Sequence, residues 1–442
     1  MRVGLPRVGT TVGVGFGVLA SLAPGLLPRT PTAQAVVTAV LVLLGLTVVG
    51  LGRVMVRRMG FGGVPTRWRG AALVVAGAAV LVAMAQAQDW QNRLRGAMGV
   101  STVGPWYWVQ WAIGSALITG VVVGGVLGIR WVVRRLGRMR SLALLLGAGV
   151  AAQFVVVPTV VDWRKAAYAS ANAFVDPGLS QPISSSRSGS PVSAASWPSL
   201  GAQGRKFVTG APTQAVRVYV GLNSAPDLNA RVALVIRELE RSGGLQRGNL
   251  VVTVPTGSGW IDGEAAAGLD QRFGGDVALV GLQYSEAPSW ATFVFGRKAA
   301  EQSARALFDA VEQRISTLPH PPKLYVYGQS LGALGGSAIF TDDADQARRT
   351  CAVLWAGPPA GAVHRSGATI LANASDPVVR WSPALLWRAP NLTGTRPDAP
   401  VPGWIPFVSF IQTSADLLGA LDAPSGHGHR YGTDQGTALG SC

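Results

Sequence analysis

The sequence predicts an all-α membrane-spanning region of about five helices, followed by an α/β domain with a mostly parallel sheet. Two observations predict this division of the 442 residues. Uncharged apolar segments fill most of residues 1–161, and each is long enough to cross a bilayer as a helix. From residue 206 onward, short apolar runs alternate with segments of helical periodicity, which is typical of a parallel sheet covered by helices.

Five apolar segments of 19 to 24 residues contain no charge. They are Val8–Pro28, Ala33–Gly52, Gly70–Gln88, Trp106–Ile129 and Ser141–Val161. Because the backbone of a lipid-exposed segment must form its hydrogen bonds internally, each is predicted to be a helix. The first segment contains Pro24 and could be mistaken for a signal peptide, but no cleavage site of the A-x-A type follows it. We therefore count it as a span.

The net charge of +16 is concentrated in the apolar region. Residues 1–161 contain 15 Arg, no Lys and one acid, whereas the remaining residues contain 23 basic and 21 acidic side chains. Ten of the arginines lie in the loops before the third and fifth spans: Arg53, Arg57, Arg58, Arg67, Arg69, Arg130, Arg134, Arg135, Arg138 and Arg140. The positive-inside rule makes these loops cytoplasmic, which places the N-terminus inside and, after five crossings, the C-terminal domain outside. A four-span or six-span count would reverse that side.

Residues 162–205 are interpreted as a connector, because they are rich in Ser, Gly, Ala and Pro and have no sustained apolar periodicity. The predicted domains are therefore residues 1–161 in the membrane, this linker, and an α/β domain over 206–442. Its predicted strands and helices are, in order, Val216–Leu222, Leu228–Arg241, Asn249–Pro255, Asp262–Phe273, Val277–Gln283, Arg297–Thr317, Lys323–Tyr327, a helix from Leu331, Cys351–Ala356 and Thr369–Ala374.

The motif G-x-S-x-G occurs at residues 328–332, between a predicted strand and a predicted helix. In this context the pentapeptide is the nucleophile elbow of the α/β-hydrolase fold, a sharp turn that exposes a serine at the end of a strand. Gly328 and Gly332 allow a close backbone approach that a Cβ atom would prevent. Ser330 is therefore the predicted nucleophile.

A serine nucleophile needs a base, and the base needs an acid that orients it. On this fold the chain order is serine, acid, histidine. Asp376 follows the strand Thr369–Ala374 and is the predicted acid. His427 and His429, in the sequence PSGHGHRYG, are the candidate bases. We prefer His427 because glycines flank it on both sides, with His429 second and His364 third.

The oxyanion hole is expected to use the Leu331 amide and an amide from the loop after the strand Asn249–Pro255. Gly257 and Ser258 in that loop, PTGSGW, are the candidates, although a plain glycine turn explains the pattern equally well. The loop QYSEAPSW opens at the same edge of the sheet. Its Tyr284, Ser285 and Trp290 are candidates for the substrate pocket or, alternatively, for packing.

The sequence indicates no cofactor and no metal. Two cysteines and four histidines form no cluster with ligand spacing, and neither a P-loop nor a dinucleotide motif is found. No basic stripe with interleaved aromatic residues is present, which argues against nucleic acid as a partner. The expected partners are membrane lipids and an acyl-ester substrate.

Cys351 and Cys442 are the only cysteines. Cys351 begins a strand, so it lies at the amino edge of the sheet, and a helix after His429 would return the C-terminus toward that edge. If the domain is outside the membrane, the compartment is oxidising and we expect a disulfide between them. A buried thiol at 351 and a frayed terminus at 442 are the alternative.

Several stretches resemble a known family, the actinobacterial membrane-anchored alpha/beta-hydrolases. They are SLAPGLLPRT, VRVYVGLNSA, PTGSGW, GLQYSEAPSW, YVYGQSLGA, LWAGPP, ASDPVVRWSP and GHGHRYG, and they are distributed over nearly the whole chain. The family commonly has an acid where this chain has Gln329, which leaves the serine unaffected. The resemblance implies a serine hydrolase of the cell envelope and implies no particular substrate.

The sequence thus predicts a multi-pass membrane protein with an extracytoplasmic, esterase- or lipase-like serine hydrolase domain that acts on envelope lipids. An acyltransferase with the same triad is the near alternative, because an acyl-enzyme can transfer its acyl group to a lipid or sugar alcohol instead of water. A membrane scaffold or transport protein with a catalytically silent hydrolase fold is the non-enzymatic alternative, since a fold alone does not prove activity.

Overall fold

The computed structural model describes residues 5–60, 64–210, 214–360 and 363–442. The chain divides into two compact units, which we describe separately. The helical unit comprises residues 1–152, 380–391 and 397–428, and the sheet unit comprises residues 153–379, 392–396 and 429–442. The predicted domain 206–442 therefore contributes two of its segments to the helical unit.

The N-terminal helices are α1 Val8–Ser21, α2 Pro31–Arg58, α3 Trp68–Ala97, α4 Pro105–Leu136 and α5 Arg138–Ala151, and α5 continues through a π-helical turn into α6 Val157–Ala173. Four helices of the described chain are long and apolar enough to cross a membrane: Pro31–Arg58, Trp68–Ala97, Pro105–Leu136 and Met139–Ala173.

The expected count of five spans is corrected to four. The first predicted span forms only the 14-residue helix α1, which ends at Ser21 shortly before Pro24. At 1.5 Å per residue it is about 21 Å long, less than the roughly 30 Å of a bilayer's hydrocarbon core. It lies antiparallel to α2, with Gly9 against Val49 and Gly17 against Leu41.

A helix close to the C-terminal end of the helical unit contacts the segment between α1 and α2. Helix α15, Val408–Asp416, places the carboxylate of Asp416 2.8 Å from Arg29 Nε, and both side chains are buried. The Leu26 amide donates to the other carboxylate oxygen at 2.7 Å, and Arg29 Nη2 donates to the Gln412 carbonyl at 3.0 Å. Burial raises the pKa of Asp416, and the adjacent guanidinium opposes that change.

Six parallel strands form the centre of the sheet unit, in the order β1-β3-β2-β4-β5-β6. They are β1 Val216–Val220, β2 Asn249–Val254, β3 Val277–Leu282, β4 Lys323–Gln329, β5 Ala352–Ala356 and β6 Ala368–Leu371. The helices of this unit that follow α6 are α7 Gly201–Thr209, α8 Leu228–Arg241, α9 Gly263–Arg272, α10 Ser289–Phe295, α11 Arg297–Ile315, α12 Leu331–Ser337, α13 Asp343–Arg349, α14 Pro377–Arg380 (whose last residue falls in the helical unit) and α16 Asp434–Thr437. The predicted α/β architecture with a parallel sheet is confirmed, and near-complete burial of β1 to β5 explains their continuous apolar sequences.

The stretch 162–205, expected to be a loop, is more ordered than its composition suggests. Helix α6 continues to Ala173, and the buried Arg205 guanidinium donates to the carbonyls of Asn172 and Ala173, both at 3.2 Å. Carbonyls at the end of a helix have no intrahelical donor, so this arginine satisfies them and fixes the end of the helix against the sheet unit.

A buried glutamate holds a second part of the same stretch. Glu238 on α8 accepts hydrogen bonds from the Ser188 hydroxyl at 2.8 Å, the Ser193 hydroxyl at 2.8 Å and the Ala194 amide at 2.7 Å, and pairs with Arg241 at 2.9 Å. Burial alone would raise the pKa of Glu238, but the bonds from Arg241, the two serines and the amide outweigh burial and lower it.

Cys351 and Cys442 form the expected disulfide, with Cα atoms 4.7 Å apart. Cys351 lies just before β5, at the amino edge of the sheet, and helix α16 precedes the terminal cysteine. The bond closes a loop with a sequence separation of 91 that contains both Asp376 and His429.

Candidate active site

Ser330 lies in a strained turn between β4 and α12. Its φ of 54° and ψ of −120° are uncommon for a residue with a side chain, and its amide donates to the Ala356 carbonyl at 2.8 Å. A Cβ atom at Gly328 would clash with the Gly332 carbonyl. The two glycines therefore permit the tight turn that the motif requires.

Asp376 and His429 form a buried pair. The Nδ1 atom of His429 lies 2.7 Å from Oδ2 of Asp376, and the side chains are 6% and 0% exposed. The amide of Val378 donates to Oδ1 of Asp376 at 2.8 Å. The carboxylate thus accepts hydrogen bonds on both oxygens, which fixes its orientation toward the imidazole.

The structure pairs Asp376 with His429 and not with the preferred His427. His427 belongs to the helical unit, where its Nδ1 atom lies 3.7 Å from Asp398. His364 lies 3.5 Å from the exposed Asp343, and its carbonyl accepts from the Trp355 indole. Glycines on both sides of His427 were a poor guide to the base, because local chain flexibility does not determine which imidazole reaches Asp376 in the fold.

Two residues that the sequence analysis missed hold the pair in place. The Tyr431 hydroxyl donates to Asp376 Oδ2 at 2.7 Å, and it accepts from the Asn373 amide at 3.3 Å. The Gln329 amide nitrogen, next to the predicted nucleophile, donates to the His429 carbonyl at 3.3 Å. The spacing of Tyr431 two residues after His429 is the only sequence signal for the first contact.

Gly357 makes room for the imidazole. It follows β5 with a φ of +53°, and a Cβ atom there would lie 2.7 Å from Cε1 and 2.8 Å from Nδ1 of His429. Both the backbone conformation and the close approach require glycine. The carboxyl end of β5, which pairs with β4, therefore supports the histidine.

The loop after β2 is a closed turn. Thr256 and Trp260 exchange backbone hydrogen bonds at 2.9 and 3.0 Å, and Gly257 between them has a φ of +50°. Leu331 is the first residue of α12, so its amide has no acceptor within its own helix. Leu331, Gly257 and Ser258 remain the predicted oxyanion residues.

Gln283, the first residue of the stretch QYSEAPSW, was assigned no role from the sequence, yet it organises the loops around this turn. Its buried amide nitrogen donates to the Ser258 carbonyl at 2.8 Å, the Ser285 carbonyl at 3.1 Å and Asn172 Oδ1 at 3.0 Å. Its oxygen accepts from the Leu222 amide at 2.9 Å. One side chain thus connects the predicted oxyanion loop to the end of the last membrane helix.

The three predicted pocket residues differ in their surroundings. Tyr284 is buried and packs with Leu331 and Leu334, and burial raises the pKa of its hydroxyl, an effect that the Gly257 amide partly opposes. Ser285 donates to or accepts from Thr292 at 3.3 Å. Trp290 is 63% exposed on α10.

Comparison with known families gives two matches. Residues 216–370 and 362–440 match a model described as an alpha/beta-hydrolase family, and residues 22–212 match a model described as the N-terminus of such a family. Neither the curated proteins nor the solved structures contain a match.

Proposed function

Because the chain belongs to an alpha/beta-hydrolase family, we propose that it is a membrane-anchored serine hydrolase that cleaves acyl esters of envelope lipids. Ser330 is the nucleophile, His429 the base and Asp376 the orienting acid. The observation that carries this proposal is the buried hydrogen bond of 2.7 Å between His429 and Asp376 in a chain that also has the elbow at Ser330.

The reaction proceeds through an acyl-enzyme. Asp376 accepts a hydrogen bond from Nδ1–H of His429 and remains ionised, and this tautomer leaves Nε2 unprotonated, ready to take the hydroxyl proton as Ser330 attacks the ester carbonyl. The Leu331 amide, with Gly257 or Ser258, stabilises the oxyanion. His429 then protonates the departing alkoxide, and water, activated by the same histidine, releases the acid. An acceptor alcohol in place of water gives acyl transfer.

A fluorophosphonate probe, which reacts with activated serines, tests this proposal. Membranes containing the full chain should be labelled, and Ser330→Ala should abolish the labelling, whereas Ser337→Ala, at the other end of α12, should not. Absence of labelling in the unmodified protein would contradict the proposal. Product analysis with and without an added alcohol then separates hydrolysis from transfer.

The sheet unit is proposed to lie outside the cytoplasm. The two Arg-rich loops join α2 to α3 and α4 to α5, and all of these helices remain in the four-span count. With both loops cytoplasmic, four spans place the N-terminal segment outside, and not inside as expected from the sequence. The sheet unit follows the fourth span and stays outside, so the four-span count does not reverse its side, contrary to the expectation from the sequence. A reporter enzyme that folds only outside the cytoplasm should be active when fused after Cys442 and inactive when fused after Gly137. The reverse pattern would contradict the assignment.

A further inference from the structure

We propose that the outer face of α10, formed by Trp290, Val294 and Phe295, lies in the lipid headgroup layer of the membrane that this chain spans. The consequence, which rests on the proposed function, is that Ser330 is presented to acyl esters of lipids still resident in the bilayer.

Helix α10 has two apolar sides. Trp290, Val294 and Phe295 are 63%, 64% and 84% exposed. Trp290 and Val294 are four residues apart and share one face of the helix, and Phe295 adjoins Val294 at the end of the helix. The remaining side chains of this helix face the protein: Ala291 and Thr292 are buried, and Phe293 packs against the cluster that contains Tyr284 and Leu331. The inner side of α10 therefore packs near Leu331, the residue after Ser330, while its outer side is exposed.

The last membrane helix is attached to the loop that precedes α10. Asn172, near the end of α6, accepts from Gln283 at 3.0 Å and donates to Glu286 at 3.2 Å, and α10 begins at Ser289. The uncharged part of the span ends at Val161, eleven residues before Asn172. At 1.5 Å per residue the attachment is about 16 Å beyond the hydrocarbon, and the headgroup layer fills about 5 to 8 Å of that distance. The remaining gap is about the length of seven-residue α10, roughly 10 Å.

The charges beside this face fit a phospholipid surface. Arg297 and Lys298 follow α10 directly and are exposed, and the Arg297 guanidinium lies 4.2 Å from the Phe293 ring centroid. No acid occurs between Glu286 and Glu301. A tryptophan and two apolar side chains next to two cations are typical of a segment in a membrane interface. We therefore assign the occupant of the face as lipid rather than a second copy of the chain.

Contact with lipid can be measured without reference to activity. Both native cysteines are in the disulfide, so a Val294→Cys variant of the full chain can be labelled with a fluorophore at one position. In nanodiscs with spin-labelled phosphatidylglycerol, we expect quenching at 294 to exceed that at Val192→Cys several-fold. Val192 is the matched control because it is 62% exposed. Equal quenching at the two positions, or a signal at 294 that changes with protein concentration and not with lipid, would overturn the proposal.

A second variant tests the consequence for substrates. The pair Val294→Ser and Phe295→Ser should lower turnover of a long-chain ester in nanodiscs at least about tenfold and leave turnover of a water-soluble short ester unchanged. The control pair, Ile183→Ser and Val192→Ser, removes similarly exposed side chains and should change neither. If turnover of both esters falls equally, or if turnover of neither falls, the proposal that α10 presents Ser330 to lipids in the bilayer is wrong. Absence of any ester hydrolysis in the unmodified protein would instead refute the proposed function, and quenching would still decide the membrane contact.

Discussion

Gln283 and Asn172 are joined by a hydrogen bond of 3.0 Å between the glutamine nitrogen and the asparagine oxygen. The same nitrogen lies 2.8 Å from the Ser258 carbonyl, so the end of a membrane helix and the predicted oxyanion loop share one buried donor. Replacing the donor should therefore disturb the loop without touching the triad.

Gln283→Met should lower kcat for ester hydrolysis about 10²-fold with a smaller change in KM, because misplacement of an oxyanion donor by about 1 Å costs that much. Gln346→Met is the matched control: Gln346 is also buried, and it donates to the Ser366 carbonyl at 2.6 Å. The control should lose stability and retain kcat. Steady-state kinetics of both variants test this prediction. Equal kcat values in the two variants would show that Gln283 does not position the oxyanion loop.

The two histidines should differ sharply. His429→Ala should lower kcat by at least about 10⁴-fold, because the serine loses its base. His427→Ala should keep kcat within about threefold, since its nearest carboxylate is Asp398 at 3.7 Å. Rates of probe labelling and of ester hydrolysis measure both. A severe loss in His427→Ala with a mild one in His429→Ala would reverse the assignment of the base.

Gly357→Ala should reduce hydrolysis about 10²-fold, because a methyl group at this position would displace the His429 ring. Gly367→Ala is a close control, since Gly367 also has a positive φ, of 67°, but no atom lies within 4 Å of the position of a Cβ. Both variants should be less stable, and only the first should be slow. Similar rates in the two would show that backbone strain, and not contact with the histidine, is what matters.

Glu238 should make stability depend on pH. Its hydrogen bonds place its pKa in the folded protein below the value of about 4.3 in the unfolded chain. The resulting stabilisation is therefore complete above about pH 4.3 and is lost as the pH falls through the folded-state pKa. Glu238→Gln should cost about 3 kcal/mol at pH 7, and the difference from the unmodified protein should shrink below about pH 4.3.

Denaturation of the full chain in detergent at several pH values measures this effect. Glu240→Gln provides the control, because Glu240 is 43% exposed and pairs with the partly exposed Arg314. That surface pair should contribute less than about 1 kcal/mol at any pH. A pH-independent difference between Glu238→Gln and the unmodified protein would contradict the argument.

Reduction of the disulfide should destabilise the sheet unit. Closing a loop of this length contributes about 4 kcal/mol in the chain-entropy model, so Cys442→Ser should unfold at a clearly lower denaturant concentration. Mass spectrometry of the non-reduced protein checks the premise. Alkylation of both thiols without prior reduction would refute the bond and weaken the placement of the sheet unit in an oxidising compartment.

Strands and helices that follow a repeating apolar pattern could be predicted from the sequence. Individual contacts between distant side chains could not. Continuous apolar runs located the strands, and the elbow motif located the strained turn at Ser330, because burial and backbone geometry constrain residue type at these positions. The length of α1 was overestimated, since apolar composition continues past the point where Pro24 and Gly25 end the helix. His427 and His429 are two residues apart in one glycine-rich segment, and only the position of Asp376 in the fold distinguishes them. Gln283 and Gly357 lie in the stretches GLQYSEAPSW and LWAGPP, but their contacts could not be predicted because their partners are distant in the chain.

The ion pair between Arg29 and Asp416 has a consequence for biosynthesis. The two residues are separated by 387 positions, so Arg29 is synthesised long before its partner. At about 5 to 20 residues per second, a ribosome needs roughly 20 to 80 seconds to reach Asp416. Throughout that interval the guanidinium lacks its carboxylate, and the contacts among Leu26, Arg29 and α15 cannot form. The membrane helices therefore complete these contacts only after the chain has been translated as far as Asp416 and, in the proposed topology, after the sheet unit has been exported.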